Sequence, residues 1–309
     1  MTENQPLFKS GYVAVAGRPN VGKSTLVNAF LAQKVAAVSP RPQTTRRRQL
    51  AILTLEDAQI VFIDTPGLHL PHHKLGEYLN AVATAALEEA DLILWLVDGN
   101  GEPTPEDRIV GQKIGALKHQ PPLLLALNKI DLLPQAEWES RQAAYQELLR
   151  LGGIPGVILA ISARTGYQLP HLQREILDRL PPGGPFFDPD QVTDLYEREI
   201  AADLLREAAL AHLREEVPHA LAVRIDEYSE RGEQAAYIAA TLFVEKETQK
   251  GIVIGKGGEM LKQIGTTARQ EIEAMSGRKV FLELRVKVNK NWRNNPEALR
   301  LLGFTLPRE

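Results

Sequence analysis

The 309-residue sequence has no cysteine. Disulfides, thiolate metal sites and a cysteine nucleophile are therefore excluded, and the chain suits a reducing compartment. Long hydrophobic runs are missing too. The longer apolar runs, such as residues 92–97 and 123–127, are far too short to cross a bilayer. The first ten residues have no basic stretch leading into an apolar one, so no secretory signal is expected. Internal repeats and low-complexity tracts are absent. Net charge is only −3, which argues against nucleic-acid affinity of the chain as a whole. Its distribution argues otherwise for one part. Residues 186–245 carry 14 acidic and 5 basic groups, whereas residues 246–293 carry 11 basic and 5 acidic ones. Such asymmetry within the C-terminal third marks a partner surface. At 44% hydrophobic and 24% charged, the composition is that of an ordinary globular protein, long enough for two domains.

Against these absences stands one well-marked stretch, Gly17-Arg18-Pro19-Asn20-Val21-Gly22-Lys23-Ser24. An apolar run, residues 12–16, precedes it as a buried strand, and residues 25–33, opening on Thr25, follow as a helix. Strand, glycine loop and helix are the setting of a P-loop. Gly17 and Gly22 let the backbone curl so that its N–H groups face phosphate oxygens, and the helix N-terminus adds partial positive charge. Lys23 is placed to reach the β- and γ-phosphates, and the Ser24 hydroxyl to ligate Mg²⁺. Further along, an apolar strand at 59–63 ends in Asp64-Thr65-Pro66-Gly67. A carboxylate at that end of a strand beside a P-loop is a Mg²⁺ position, and Gly67 leaves its backbone free to turn toward a γ-phosphate. The strand at 122–127 delivers Asn128-Lys129-Ile130-Asp131, and the strand at 157–161 delivers Ser162-Ala163. Asp131 can accept from the N1 and exocyclic amino hydrogens of guanine, a donor pair that adenine lacks. Lys129 can lay its stem over the base or brace the P-loop. Ser162-Ala163 can offer a backbone N–H to the guanine O6. Each short motif alone is weak; their order, each after a strand, is specific.

Strands alternate with helices expected at 74–89, 109–117, 138–151 and 169–180. That pattern predicts a doubly wound α/β domain with a mostly parallel sheet, with every named loop at a strand carboxyl end. The breaker cluster Pro181-Pro182-Gly183-Gly184-Pro185 sets a boundary: a nucleotide domain over 1–182, a linker over 183–192 and a second, α+β domain over 193–309. The second domain reads as a helix at 194–215 with Thr193 or Asp194 as N-cap, then strands at 221–228 and 236–245. A short apolar strand at 252–254 leads into Gly255-Lys256-Gly257-Gly258. An amphipathic helix and a strand at 279–288 follow. Residues 252–264 resemble a KH motif, in which a GxxG loop before a helix clamps a single-stranded nucleic-acid backbone, and the basic segment around the loop suits that role. Ile254, Gly255, Lys256, Gly257, Gly258 and Lys262 are its candidate RNA-binding residues.

The stretches GRPNVGKS, PQTTRRR, DTPGLH, NKID, SA, GIVIGKGG and KVFLELRVKVNKNWRNNP resemble, in this order, the Era family of bacterial ribosome-assembly GTPases, and the resemblance covers almost the whole chain. It implies a translation-factor-class P-loop GTPase domain followed by a type II KH domain. It also implies hydrolysis of GTP to GDP, with 16S ribosomal RNA near its 3′ end and the 30S subunit as partners, and no DNA. Thr44-Thr45 would be the switch loop, with Thr45 favoured to meet Mg²⁺ beside Ser24 and Asp64; capping of a turn is the lesser reading of these threonines. Lys23, Thr45 and Gly67 are the implied catalytic positions. Leu68 stands where Ras-like GTPases carry a water-positioning glutamine, so slow intrinsic hydrolysis is expected. Asn20 resembles the asparagine that holds K⁺ in related GTPases; it could equally just shape the loop. His69, His72 and His73 read as part of a solvated, mobile switch loop rather than as metal ligands. Two departures, Leu195-Tyr196 for a frequent Arg-Pro and Arg285 for a frequent Trp, bear on the linker and the last strand. A cytoplasmic location follows, with peripheral contact at the inner membrane as a further expectation. The competing readings are a tRNA-modifying GTPase, which lacks a second catalytic constellation here, and a non-enzymatic RNA-binding scaffold that merely holds GDP.

Overall fold

The computed structural model describes residues 7–34, 36–37, 45–232 and 234–304. Pro40, Pro42, Gln43 and Thr44 of the expected switch loop lie outside these residues. The first body opens with β1 (Lys9–Ala16), α1 (Lys23–Leu31), β2 (Gln49–Thr54), β3 (Ala58–Asp64), α2 (Lys74–Glu89) and β4 (Leu92–Asp98). It closes with α3 (Pro105–Gly115), β5 (Leu123–Asn128), α4 (Trp138–Gly152), β6 (Val157–Ala160) and α5 (Leu169–Arg179). The sheet runs β2-β3-β1-β4-β5-β6, parallel except for β2, which is antiparallel to β3. Because side chains alternate along a strand, each central strand feeds two cores. Val13, Val15, Leu94, Leu96, Leu124 and Ala126 pack with α1 and α5 on one face. Ala14, Ile93, Trp95, Val97, Leu125 and Leu127 pack with α2, α3 and α4 on the other. That two-sided burial explains the unbroken apolar runs, and each fully buried Leu or Ile contributes roughly 1.5–3 kcal/mol. All the strand carboxyl ends but that of β2 then deliver their loops to one edge.

The second body contains α6 (Glu197–His212), β7 (Ala222–Glu230), β8 (Ala235–Val244), α7 (Glu247–Ile254), α8 (Glu259–Ser276), β9 (Lys279–Val288) and α9 (Pro296–Leu301). Its sheet runs β7-β8-β9, with β7 antiparallel and β9 parallel to β8. Residues 252–254, expected as a strand, are instead the last turn of α7. The Gln249 side chain accepts from the Glu245 and Lys246 N–H groups at 3.0 and 3.1 Å, which starts a helix at that point. Both sides of β8 are already paired, so a further strand has no place beside it.

Helix α6 also starts later than the cap residues suggest, at Glu197, where the Tyr196 N–H is accepted by Glu199 at 3.2 Å. Thr193 and Asp194 serve the other domain. The Asp194 carboxylate accepts from the Leu50 N–H at 2.8 Å, Val192 O accepts from Ile52 at 3.0 Å, and Thr193 bridges to Ala51. The linker thus lies along the open edge of β2. Buried Gln59 anchors it by accepting from the Phe186 and Phe187 N–H groups at 2.8 and 3.0 Å. Phe186 stacks on Tyr12 at 5.1 Å. An apolar cluster joins the bodies: Leu75, Tyr78, Leu79 and Val82 of α2 meet Ala222, Phe243, Trp292 and Leu299.

Candidate nucleotide site and nucleic-acid interface

The loop after β1 is closed tightly around its own backbone. Gly17 has φ +143°, and a Cβ there would lie 2.3 Å from the Leu96 carbonyl oxygen. Gly22, with φ +100°, is the N-cap of α1, and its Cβ would lie 2.3 Å from the Asn128 amide nitrogen. Both positions exclude every larger residue on two counts, conformation and space. Val21 anchors the loop in the core. Arg18 turns sideways to Asp107 at 3.3 Å and Asp98 at 3.9 Å. Asp107 is fully buried because it also closes the capping box of α3 with Thr104. Buried Lys23 donates to Gly17 O at 3.2 Å and Arg18 O at 3.1 Å. Burial lowers its pKa to about 8; Asp64 pulls the other way, and Arg18 adds to the lowering. Thr25 continues the first turn of α1.

Three oxygens converge next to this lysine. The Ser24 hydroxyl donates to Asp64 Oδ2 at 2.8 Å, the Thr45 hydroxyl donates to the same oxygen at 3.3 Å, and the two hydroxyls lie 3.1 Å apart. Asp64 is fully buried, its Oδ1 has no hydrogen-bond partner, and burial raises its pKa. A buried carboxylate with an unsatisfied oxygen, flanked by two hydroxyls, is a donor set for a hard divalent cation. The Thr65 hydroxyl donates to Val15 O at 2.9 Å, and Pro66 is buried, which fixes the approach to Gly67. A Cβ on Gly67 would lie 2.6 Å from the Pro19 nitrogen, so the two loops touch at backbone distance. Leu68 is 1% exposed, packed into the core, and therefore cannot orient a water. The expected mobile histidine loop is tied down at two of its three members. His69 Nδ1 lies 2.8 Å from Gly67 O, with its own carbonyl accepting from Asn80 at 2.7 Å. His73 caps α2 by accepting from the Gly76 N–H at 3.0 Å. Only His72 of the three is exposed.

Asn128 stitches two loops together: its Nδ2 donates to Val21 O at 2.8 Å and its Oδ1 accepts from the Ala163 N–H at 2.9 Å. The Ala163 N–H is thus engaged by Asn128 and would have to be shared with a guanine O6. Lys129 braces the P-loop, donating to Asn20 O at 2.8 Å and pairing with Asp98 at 2.7 Å. Asn20 itself is exposed with φ +65°. The Asp131 carboxylate, 15% exposed, is held below the usual range by the Ser162 hydroxyl and then by the ion-paired Arg164 guanidinium. Arg164, Asp98 and Asp107 went unnoticed in the sequence. Asp98 ends an apolar strand much as Asp64 does, and that was a usable signal.

In the second body the GxxG loop joins α7 to α8 with Gly255, Gly257 and Gly258 at φ +74°, +60° and +83°. A Cβ at Gly255 would strike Met260 at 2.7 Å, whereas Gly257 and Gly258 face open space. Ile254 is half-buried; Lys256 and Lys262 are exposed. A groove of about 650 Å³ runs from the loop between α8 and β9, lined by Gly258, Leu261, Lys262, Gly265, Arg269 and Leu282. Its floor is apolar, and Lys262 and Arg269 line it together with one carboxylate, Glu283, an arrangement that suits unstacked bases beside a phosphate chain.

The first body and its loops define a guanine-nucleotide P-loop domain, and the second defines a type II KH domain. Residues 12–129 match the family model of the 50S ribosome-binding GTPase, and residues 216–293 that of the KH domain. The chain belongs to the Era family of GTPases. It is 44% identical to GTPase Era of Caldicellulosiruptor saccharolyticus, over 97% of this chain and 98% of that one. It is also 44% identical to GTPase Era of Mycolicibacterium smegmatis, over 96% and 99%. A crystal structure of Era with MgGDPNP and nucleotides 1506–1542 of 16S ribosomal RNA matches with TM-score 0.91 and 40% identity, covering 97% of this chain and 100% of that one. Aquifex aeolicus Era bound to GDP and AlF4⁻ matches at TM-score 0.88 and 40% identity, with the same coverage.

Proposed function

We propose that this chain is a GTP-hydrolysing switch that binds the 3′ region of 16S ribosomal RNA and assists maturation of the 30S subunit. The observation that carries the reading is the convergence of Ser24, Thr45 and Asp64, within 3.3 Å of one another, beside buried Lys23. The residues fit Mg²⁺, which would be held by Ser24, Thr45 and Asp64 and would neutralise charge on the β- and γ-phosphates. Lys23 exchanges the Gly17 and Arg18 carbonyls for those phosphates. The Gly67 N–H faces the γ-phosphate, and Asp131 reads the guanine edge once Arg164 yields its place. Since Leu68 cannot position water, turnover is slow until RNA or another group completes the site. Asn20 would hold a K⁺ ion whose charge does the work of an arginine finger. The KH groove with Lys256 and Lys262 takes the single-stranded RNA. The proposed setting is the cytoplasm. Among the described residues no helix is long and apolar enough to cross a membrane, so contact with the inner membrane would be peripheral.

Phosphate release with and without the 1506–1542 RNA fragment, in KCl and in NaCl at equal ionic strength, tests this reading. GTP turnover that RNA accelerates, faster in KCl, is expected. Bound GDP with no turnover in any condition would leave the RNA-binding scaffold instead. Equal rates in the two salts would remove K⁺ from Asn20 and leave the Mg²⁺ residues untouched.

A further inference from the structure

Arg46 follows Thr45 directly, yet its side chain belongs to the other domain. It is 3% exposed. Its Nη1 donates to Leu221 O at 2.7 Å and its Nη2 to His219 O at 3.2 Å, while the guanidinium lies 5.6 Å over the Trp292 ring. The carbonyl between those two, Ala220 O, accepts from Trp292 Nε1 at 2.8 Å. Three consecutive carbonyls at the entry to β7 are thus satisfied by one arginine and the tryptophan beneath it. Among the described residues Arg46 makes no direct ion pair. Arg206, Arg293 and the carboxylate of Asp203 surround it, and its Nε is buried without a partner. Burying a cation without a direct ion pair costs desolvation energy, and the two carbonyl bonds and the indole contact that offset this cost exist only while the two domains are docked. Trp292 also packs on Leu75, Tyr78, Leu79 and Val82 of α2, the helix that follows Gly67. Both nucleotide-sensing loops therefore end at one residue of the KH body.

We propose that Arg46 is the positioning residue that transmits the nucleotide state to the RNA-binding domain. It rests on the switch reading above and names the part that carries the signal. While Thr45 sits beside Ser24 and Asp64, the one-residue tether holds the guanidinium under Leu221 and over Trp292. When Thr45 leaves, that tether draws Arg46 away, and two buried carbonyls and an indole face lose their partner. The docked arrangement seen here matches, at TM-score 0.91 over 97% of the chain, that of the relative holding both a GTP analogue and RNA. On this proposal the docked state is the RNA-competent one, and the γ-phosphate favours it by holding Thr45 beside Ser24 and Asp64.

The test is affinity for the 1506–1542 RNA fragment, measured with GDP and with GDPNP, in wild type, Arg46→Ala, Arg46→Lys and Asn294→Ala. Asn294 accepts from the Lys74 N–H at 3.2 Å and serves as an interface control that makes no hydrogen bond to Arg46. Wild type should bind RNA at least ~10-fold more tightly with GDPNP, a usual size for coupled sites. In Arg46→Ala that ratio should fall to about 1, with GDPNP affinity changed less than about twofold and RNA stimulation of turnover lost. Arg46→Lys keeps the charge but reaches only one carbonyl, so its ratio should be intermediate, and it serves if the alanine variant does not fold. Asn294→Ala should keep the wild-type ratio. A wild-type ratio in either Arg46 variant, or equal loss in Asn294→Ala, overturns the role of Arg46. No nucleotide dependence in wild type itself would instead overturn the switch reading on which it rests.

Discussion

The two glycine loops of this chain look alike in sequence and differ in what surrounds them. In the P-loop, added Cβ atoms at Gly17 and Gly22 would each meet a protein atom at 2.3 Å. In the GxxG loop, Gly257 and Gly258 face nothing within 4 Å. The first loop is glycine because the protein itself fills the space. The second is glycine at positions where the space is left for something that arrives later. The nucleotide cradle is accordingly preformed by Val21, Lys129 and Asn128, whereas the KH loop is preformed only in its backbone dihedrals.

The hardest test of that difference is Gly17→Ala. The methyl group would collide with the Leu96 carbonyl at a φ that alanine avoids, costing about 3 kcal/mol or more. Thermal midpoint and GTP affinity should both drop, the latter beyond measurement by calorimetry. A well-folded variant with wild-type affinity would show that the loop is not closed as described. Next in size, Asp131→Asn should weaken GTP by ~100-fold or more and favour xanthosine triphosphate, whose C2 oxo group accepts from the new amide. Unchanged GTP affinity would remove Asp131 from base reading.

Replacing Lys256 and Gly257 by Asp should do the opposite of Gly17→Ala: leave stability nearly alone and abolish a ligand. Gly257 has room for the side chain, so only its φ of +60° opposes the change, at about 1–2 kcal/mol. RNA affinity should fall by ~100-fold, and its salt dependence should flatten as phosphate contacts are lost. GTP turnover without RNA should stay at the wild-type rate. Undiminished RNA binding by fluorescence anisotropy would withdraw this loop from the interface.

The smallest expected effect is on pH. Lys23 has a pKa of about 8 in the folded protein against 10.5 for an ordinary lysine. Between those values the unfolded chain holds the proton and the folded one does not. Stability of the nucleotide-free protein should therefore rise with pH across that window, by roughly 2–3 kcal/mol at most. Affinity for GTP should fall in the same window, as the ammonium that meets the phosphates is lost. Lys23→Met should abolish the stability slope; chemical denaturation at pH 7.5 and 9.5 checks it.

The α/β alternation, the P-loop, the Asp64 and Asp131 positions and the GxxG loop could all be read from the chain. Each depends on short-range pattern: glycines where the backbone must turn, carboxylates at strand ends, a period of 2 or 3.6. Residues 252–254 escaped because three apolar residues carry no period, and the Gln249 side chain decided for a helix. Thr193 and Asp194 had the chemistry of helix caps, but the free N–H of Leu50 on an edge strand captured the carboxylate. In the sequence Arg46 is the first of three consecutive arginines, with nothing local to set it apart. That it is 3% exposed, with Leu221 and His219 as partners across 175 and 173 residues of chain, follows from domain docking alone. Local geometry is set by neighbours in sequence, so the sequence determined which chemistry this protein carries. Burial and long-range partners are set by how the bodies meet, and only the tertiary structure decided how one chemistry is joined to the other.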